Sequence, residues 1–174
     1  AACEAGADIL GFNFAPEAMQ RNRYIDPQAA QRMIEQLPPF VHTVAVTVNA
    51  SIELLQDYLQ FVDYVQLSGS EPPECCASLA KGAIPGGRVI KGFRIGPQFK
   101  VESMKSHPVA VYLLDACVPG SYGGTGQVCD WPTARRAVEA GLPVMLAGGL
   151  HPDNVADAIR AVRPYAADVA GGVE

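Results

Sequence analysis

Short apolar runs alternate along this chain with segments in which apolar residues recur at helical spacing. The apolar runs predict seven strands, at residues 9–14, 42–48, 64–67, 89–95, 109–115, 144–147 and 167–170. The runs are apolar almost throughout rather than at every second position. This pattern is typical of strands that are covered on both faces, as in a parallel sheet.

The segments between the predicted strands show helical spacing. They predict helices near residues 27–36, 52–61, 73–81, 133–139 and 153–162, with a weaker one near 99–105. Residues that suit a helix N-terminus stand where several of these helices begin. Asp26 precedes the first, Asn49 and Ser51 precede the second, and Pro152 with Asp153 opens the last.

Seven strands that alternate with helices predict an α/β fold with a parallel sheet. The opening AACEAGAD has helical composition and the chain stops just after a strand, so we expect a (β/α)8 TIM barrel lacking the first strand and the last helix. An open doubly wound sheet gives the same alternation and remains the alternative. Because no linker or repeat divides the chain, we expect a single barrel domain over residues 1–174, truncated at both ends.

Composition and charge exclude several classes of protein. Apolar residues make up 49% of the chain and the formal net charge is −5, so neither disorder nor nucleic-acid binding is expected. No apolar run approaches the ~20 residues of a membrane span. The five cysteines are scattered without metal-ligand spacing. We therefore expect no metal, and reduced thiols in a cytoplasmic protein.

One carboxylate stands at the end of a predicted strand. Asp115 closes the run VAVYLL, and the loop that follows carries Gly120, Gly123, Gly124 and Gly126. A carboxyl group at the end of a buried strand is partly desolvated, which raises its pKa and suits a general acid. The alternative is that Asp115 caps a helix or pairs with a nearby cation.

Two glycine turns follow the last two predicted strands. Gly148 and Gly149 lie between a strand and a helix, and Gly171 and Gly172 follow the next strand. Glycine lets backbone N–H groups approach an anion, and the loops after the last strands of a barrel often bind phosphate. A single glycine pair could be only a tight turn, but two such turns favour a phosphate site.

Three basic residues are further candidates. Arg23 lies in the loop after the first predicted strand, where a guanidinium could hold a carboxylate through two hydrogen bonds, although a solvated loop arginine is the alternative. Lys91 and Arg94 both lie on the strand at 89–95. In a barrel interior, one of them could be a buried cation paired with a carboxylate.

At these residues the chain resembles the phosphoribosylanthranilate isomerase family, (β/α)8 enzymes of tryptophan biosynthesis. The resemblance runs nearly end to end, in the same order and spacing, through EAGADILGFNF, NRYIDP, VTVNAS, DYVQLSGSE, VIKGFRI, LLDACVPGSYGGTG with CDW, LAGGLHPDNV, VRPYAADV and GGVE.

The resemblance implies a cofactor-free Amadori rearrangement of N-(5-phosphoribosyl)anthranilate to its 1-deoxyribulose ketone. Asp115 would be the general acid, and Arg23 would hold the anthranilate carboxylate. The phosphate would be held by backbone groups at Gly148, Gly149, Ala170 and Gly171. The implied partner is this phosphorylated substrate. The protein would be a monomer or a homodimer, and fusion to a neighbouring pathway enzyme is left open.

The chain departs from the family pattern at four places. The family's general base is a cysteine in a K-x-C-G block, which does not occur in this sequence, and Cys3 aligns with the first helix instead. Ser68 stands where the family often has histidine, and the Arg23 loop is longer than usual. The final strand reads DVAGGVE rather than DVSSGVE. An inactive phosphosugar-binding barrel fragment is therefore the alternative function. A ribulose-phosphate epimerase is disfavoured because no histidine–aspartate metal set is present.

Overall fold

The computed structural model describes residues 1–80, 86–96, 98–116 and 128–173. The chain divides into two compact units, Ala1–Glu71 and Pro72–Glu174. Within each unit, strands alternate with helices and neighbouring strands run parallel, as the sequence predicts. The single domain expected from the sequence stays a prediction. Within the described residues, no helix is long and apolar enough to cross a membrane.

The first unit holds three parallel strands that pair in chain order. These are β1 (Ile9–Asn13), β2 (His42–Thr47) and β3 (Tyr64–Leu67). The helical elements of this unit are a 3-10 helix (Pro16–Arg21), α1 (Pro27–Ile34) and α2 (Ile52–Tyr58). The sequence did not predict the 3-10 helix, which lies in the loop that leads to Arg23.

Both α-helices of the first unit begin at side chains that satisfy the free N–H groups of the first turn. The Asp26 carboxylate accepts hydrogen bonds from the N–H groups of Gln28 and Ala29, both at 3.0 Å. The Ser51 hydroxyl accepts one from the N–H of Leu54 at 3.2 Å. The start signals at Asp26 and Ser51 are therefore confirmed.

The second unit holds four parallel strands, again paired in chain order. They are β4 (Val89–Ile95), β5 (Val111–Ala116), β6 (Val144–Leu146) and β7 (Ala166–Ala167). Its α-helices are α3 (Pro73–Leu79), α4 (Trp131–Glu139) and α5 (Val155–Val162). Two 3-10 helices, Val101–Ser106 and Gly171–Val173, complete the described elements.

The surroundings of strand β5 explain why apolar and polar residues do not alternate along it. The adjacent residues Leu113 and Leu114 point to opposite faces of the sheet. Both are buried, with exposed fractions of 4% and 0%. The sheet is therefore covered on both sides at β5, as the sequence predicts.

Three local predictions were wrong. The chain opens in turns at residues 1–6 rather than in a helix, since Gly6 adopts a φ of +87° and stops the single helical turn. Helix α5 begins at Val155 instead of residue 153, because residues 152–154 form a turn. Strand β7 ends at Ala167 rather than at residue 170, because β6, its pairing partner, has three residues.

A buried carboxylate ties together the loops that follow β2 and β3. One oxygen of Glu71, a residue that is 5% exposed, accepts hydrogen bonds from the N–H groups of Asn49 at 2.7 Å and Gly69 at 3.2 Å. The Asn49 side-chain oxygen in turn accepts from the N–H of Ser70 at 2.8 Å. Glu71 thus fixes the backbone at the C-terminal edge of this unit.

We expect Glu71→Ala to lower the free energy of unfolding by about 2 kcal/mol, because it leaves the buried N–H of Gly69 and the partly buried N–H of Asn49 without their acceptor. Urea denaturation followed by circular dichroism measures this change. The matched control is Glu35→Ala, which removes an exposed carboxylate at the end of α1 and should change stability by less than about 0.5 kcal/mol. Equal losses for the two variants would contradict the bracing role of Glu71.

Candidate active site

Asp115 lies near the C-terminal end of β5 with its carboxyl group half-buried. Its Oδ1 atom accepts a hydrogen bond from the N–H of Ala116 at 2.7 Å. Burial raises the pKa of Asp115, and the Ala116 hydrogen bond and the charge of Arg94 offset part of that rise. A carboxyl group with a raised pKa keeps its proton to a higher pH, as a general acid requires.

A row of side chains crosses the ends of the strands at the level of Asp115. Arg94 pairs directly with Asp115 in the register of β4 and β5. The registers of β5–β6 and β6–β7, continued by one residue, bring Ala147 and Asp168 into the same row. The N–H groups of both residues donate to the preceding strand at 2.8 Å, so pairing extends this far. Residues in register on parallel strands share a face, so Arg94, Asp115 and Asp168 lie on one side of the sheet.

Asp168 is a candidate that the sequence reasoning missed. Desolvation raises the pKa of its carboxyl group, although the residue as a whole is exposed. The nearby charge of Asp115 raises it further. The available signal was that Asp168 is the one charged residue in the predicted strand at 167–170.

The first glycine turn adjoins the acid. A Cβ atom at Gly148 would lie 2.7 Å from Oδ1 of Asp115, and the φ angles of Gly148 and Gly149 are +83° and +62°. A larger residue is therefore both crowded and strained at position 148. The Asn154 side chain holds the turn by donating to the carbonyl of Gly149 at 2.8 Å and accepting from the N–H of His151 at 2.9 Å.

The second glycine turn packs against the backbone that directly follows the first, at Leu150 and His151. A Cβ atom at Gly172 would overlap the carbonyl oxygen of Leu150 and lie 3.0 Å from the Cα of His151. The same turn includes Ala170 and Gly171, which are exposed. The structure therefore brings the two predicted phosphate turns together, and it places the first of them beside Asp115.

Cys129 completes the surroundings of the acid. Its thiol is buried and points at the carbonyl oxygen of Leu114, with 3.7 Å between sulfur and oxygen. Burial, together with the neighbouring Asp115 and Asp130 carboxylates, raises the pKa of Cys129 to about 12. The thiol is therefore protonated at neutral pH and cannot act as a base there.

In the first unit, Arg23 follows the 3-10 helix and is half-buried. Its N–H donates to the carbonyl of Ala18 at 3.1 Å, and the N–H of Ile25 donates to Asn13 at the end of β1 at 3.0 Å. These bonds hold the Arg23 backbone close to the C-terminal end of β1. Such a location allows its side chain to serve a site at the strand ends.

Gln66 and Ser68 form a polar pair at the end of β3. The Gln66 amide donates to the Ser68 hydroxyl at 3.0 Å. Val65 and Leu67, which alternate with them, are fully buried on the other face. Ser68 therefore presents a hydroxyl group, already in contact with an amide, at the C-terminal end of β3.

Lys91 is the buried cation of β4, with 3% of the residue exposed. Its Nζ donates to the carbonyl of Gly92 at 3.1 Å and lies 5.6 Å from the centre of the Phe93 ring. Being three residues apart on a strand, Lys91 and Arg94 face opposite sides of the sheet. Arg94, rather than Lys91, shares the face of Asp115.

Comparison with known proteins identifies the family of this chain. The family model for N-(5′-phosphoribosyl)anthranilate (PRA) isomerase matches residues 1–174. The chain belongs to the PRA isomerase family. A PRA isomerase of Geobacter metallireducens is 46% identical over 99% of this chain and 82% of its own length.

Solved PRA isomerases share the fold. The enzyme from Thermus thermophilus superimposes with a TM-score of 0.85 at 34% identity, covering 99% of this chain and 81% of that one. A second PRA isomerase, solved in complex with reduced 1-(o-carboxyphenylamino)-1-deoxyribulose 5-phosphate, has a TM-score of 0.80 at 34% identity and covers 99% and 80%. The predicted (β/α) barrel class is thereby confirmed, as is the isomerase of tryptophan biosynthesis.

Part of the predicted PRA isomerase site lies outside the described residues. This applies to the loop glycines Gly120, Gly123, Gly124 and Gly126. Within the residues that are described, no group of three or more histidine, cysteine, aspartate or glutamate side chains could hold a metal ion.

Proposed function

We propose that Asp115 is the general acid of an aldose–ketose isomerisation of N-(5′-phosphoribosyl)anthranilate at this site. The observation that carries the proposal is the half-buried Asp115 carboxyl group with its raised pKa, which directly adjoins the Gly148 turn in a PRA isomerase chain. An acid beside the proposed phosphate turn suits a sugar-phosphate substrate. In that substrate, the ring oxygen is the atom that must be protonated.

The reaction needs one proton donor and one proton acceptor. Asp115 gives its proton to the ring oxygen as the C1′–O bond breaks, and the anthranilate nitrogen lone pair forms the C1′=N bond. A base then removes the C2′ proton, and the electron pair moves to form an enolamine. Loss of the C2′ hydroxyl proton and protonation at C1′ yield the ketone. The change is redox-neutral overall because hydrogen moves from C2′ to C1′.

The two ends of the substrate supply binding energy for orientation. Backbone N–H groups at Gly148, Gly149, Ala170 and Gly171 bind the phosphate in this proposal, and Arg23 binds the anthranilate carboxylate. A ligand fixed at both ends keeps its central bond in place for proton transfer, which is a large part of the catalytic effect in such reactions.

We expect Arg23→Met to raise the KM of the substrate about ten- to a hundredfold with a smaller change in kcat, because a charged hydrogen bond to a carboxylate contributes about 1.5–3 kcal/mol. Steady-state kinetics measures both constants. Arg32→Met removes an exposed arginine at the end of α1 and serves as the control. An unchanged KM in Arg23→Met would remove Arg23 from the carboxylate site.

Turnover tests the proposed function directly. The chain is assayed with N-(5′-phosphoribosyl)anthranilate alone, and again with a strand bearing the K-x-C-G block joined to its N-terminus. Turnover in either form supports the isomerase, and a dependence on the added strand would assign the base to its cysteine. Binding of the substrate without turnover in both forms would support the phosphosugar-binding alternative instead.

We place the protein in the cytoplasm, with the small phosphorylated substrate as its partner, and we expect a monomer or a homodimer. The four cysteines in the described residues are unbridged, which suits a reducing compartment. A relative from Thermotoga maritima is named as a dimeric enzyme from which monomers were generated. Sedimentation of the purified protein determines the oligomeric state.

A further inference from the structure

The turn between β6 and α5 uses its backbone carbonyl groups and leaves its backbone N–H groups. The carbonyl of Gly148 accepts a hydrogen bond from the N–H of Cys129 at 3.3 Å, and the carbonyl of Gly149 accepts one from the Asn154 side chain at 2.8 Å. Within the described part of the chain, the N–H groups of Gly148 and Gly149 donate to no protein acceptor. These N–H groups are therefore available to an anion, whereas the carbonyl groups are held by the protein.

Asn154 stands at the start of α5, but its side chain serves the preceding turn. A residue at this position commonly accepts a hydrogen bond from an N–H of the first helical turn. Among the described residues, the Asn154 side chain makes no such bond to α5. It accepts instead from the N–H of His151 at 2.9 Å and donates to the carbonyl of Gly149 at 2.8 Å. The N–H of Asn154 donates to the carbonyl of His151 at 3.1 Å, which holds Asn154 itself in place.

These two side-chain bonds need one donor and one acceptor on the same side chain. A backbone carbonyl only accepts and a backbone N–H only donates, so the partners fix the orientation of the Asn154 amide. The carbonyl of Gly149 belongs to the peptide unit before Leu150, and the N–H of His151 belongs to the unit after it. One side chain therefore fixes both peptide units of Leu150.

Both of these peptide units matter to the glycine turns. Gly149 has a φ of +62° and no Cβ atom, so the unit that follows it can rotate at little steric cost. Such a rotation exchanges the positions of the Leu150 N–H and the Gly149 carbonyl oxygen, and an oxygen repels an anion where an N–H attracts it. In the second unit, the carbonyl oxygen of Leu150 lies where a Cβ atom at Gly172 would be, directly against the second turn.

We propose that Asn154 is a positioning residue for phosphate binding. By holding the carbonyl of Gly149 and the N–H of His151, it keeps the turn in the conformation whose N–H groups bind the anion, and it keeps the second glycine turn in its place. Asn154 acts through the turn and does not touch the phosphate. This role rests on the proposed function, in which backbone N–H groups at Gly148 and Gly149 hold the phosphate of the substrate.

The test is a titration with inorganic phosphate, followed through the amide signals of Gly148 and Gly149 by 1H–15N NMR. Asn154→Ala should weaken phosphate binding roughly tenfold, which corresponds to the loss of about one charged hydrogen bond. Asn154→Asp should weaken it at least as much, because an ionised carboxylate cannot donate to the Gly149 carbonyl. Asn154→Asp keeps an acceptor for the N–H of His151, so its melting temperature should fall less than that of Asn154→Ala.

Gln36→Glu is the matched control. The Gln36 side-chain amide donates to the carbonyl of Arg32 at 3.1 Å at an exposed position just after α1. The change therefore removes an amide-to-carbonyl hydrogen bond and adds a negative charge, as Asn154→Asp does, but it leaves the glycine turns as they are. Phosphate binding should stay unchanged in this variant.

Unchanged phosphate binding in Asn154→Ala would overturn the role of Asn154 and leave the phosphate site in place. A loss of binding that follows the melting temperature, large in Asn154→Ala and small in Asn154→Asp, would also overturn it, since that result marks a purely structural role. If Asn154→Ala does not fold, Asn154→Asp decides. A loss that persists at high salt then supports the proposal, whereas a loss that disappears there is charge repulsion and overturns it. If phosphate moves neither amide signal in the unchanged protein, the phosphate site of the proposed function fails together with the role of Asn154.

Discussion

Replacing Asp115 with asparagine should lower kcat by roughly 10²- to 10⁴-fold, the usual contribution of a positioned acid–base group. Asparagine has the same shape and can still accept the hydrogen bond from the N–H of Ala116, so the end of β5 should keep its conformation. What is lost is the proton for the ring oxygen of the substrate. Steady-state turnover of N-(5′-phosphoribosyl)anthranilate measures the effect.

The pH profile distinguishes loss of the acid from general damage. The acid proposed here, Asp115, could donate only when protonated, and its pKa is raised, so the activity of the unchanged enzyme should fall as the pH rises through that pKa. In Asp115→Asn the residual rate should lack this basic limb. Asp153→Asn, a change at an exposed carboxylate with 94% of its side chain accessible, is the control and should keep full activity. A rate within about threefold of the unchanged enzyme in Asp115→Asn would exclude Asp115 as the acid.

Replacing Gly172 with alanine should raise the KM about ten- to a hundredfold and lower stability as well. The added methyl group would overlap the Leu150 carbonyl oxygen, which is backbone and cannot rotate away. The turn at 171–173 must then move away from the backbone of Leu150 and His151, which directly follows the Gly148–Gly149 turn. If phosphate is held between these turns, the loss of binding free energy corresponds to about one charged hydrogen bond.

Gly11→Ala is the matched control for this change. Gly11 also has an ordinary φ, and an added Cβ would meet the Val46 side chain at 3.4 Å, an ordinary contact. Inorganic phosphate is a direct probe for both variants, because it competes with the phosphate end of the substrate. A weakened inhibition by phosphate in Gly172→Ala, but not in Gly11→Ala, supports the site. Unchanged inhibition in both would separate the glycine turns from phosphate binding.

The local sequence pattern predicted those structural features whose physical cause is also local. A run of apolar residues without alternation predicts a strand of a parallel sheet that is covered on both faces. A side chain that can cap the first turn predicts where a helix starts, and Asp26 and Ser51 are examples. Asp115 was identified as a candidate general acid because it directly follows such an apolar run. These inferences need only residues that are neighbours in the sequence.

Features that depend on distant residues were not predictable in the same way. Arg94, Asp115 and Asp168 lie in one row because of the register between the strands. That register cannot be read from the sequence of each strand alone. Asp168 lay inside a segment predicted as strand, so its position at the strand end could not be recognised. The protonated state of Cys129 follows from burial among groups far along the chain.

Gly148 belongs at once to the turn proposed to bind phosphate and to the surroundings of the Asp115 carboxyl group. A mutation that reshapes this turn for a different anion therefore disturbs the proposed proton donor in the same step. Adaptation towards other phosphorylated ligands is constrained at this position, since selection for a new phosphate contact acts against the existing chemistry.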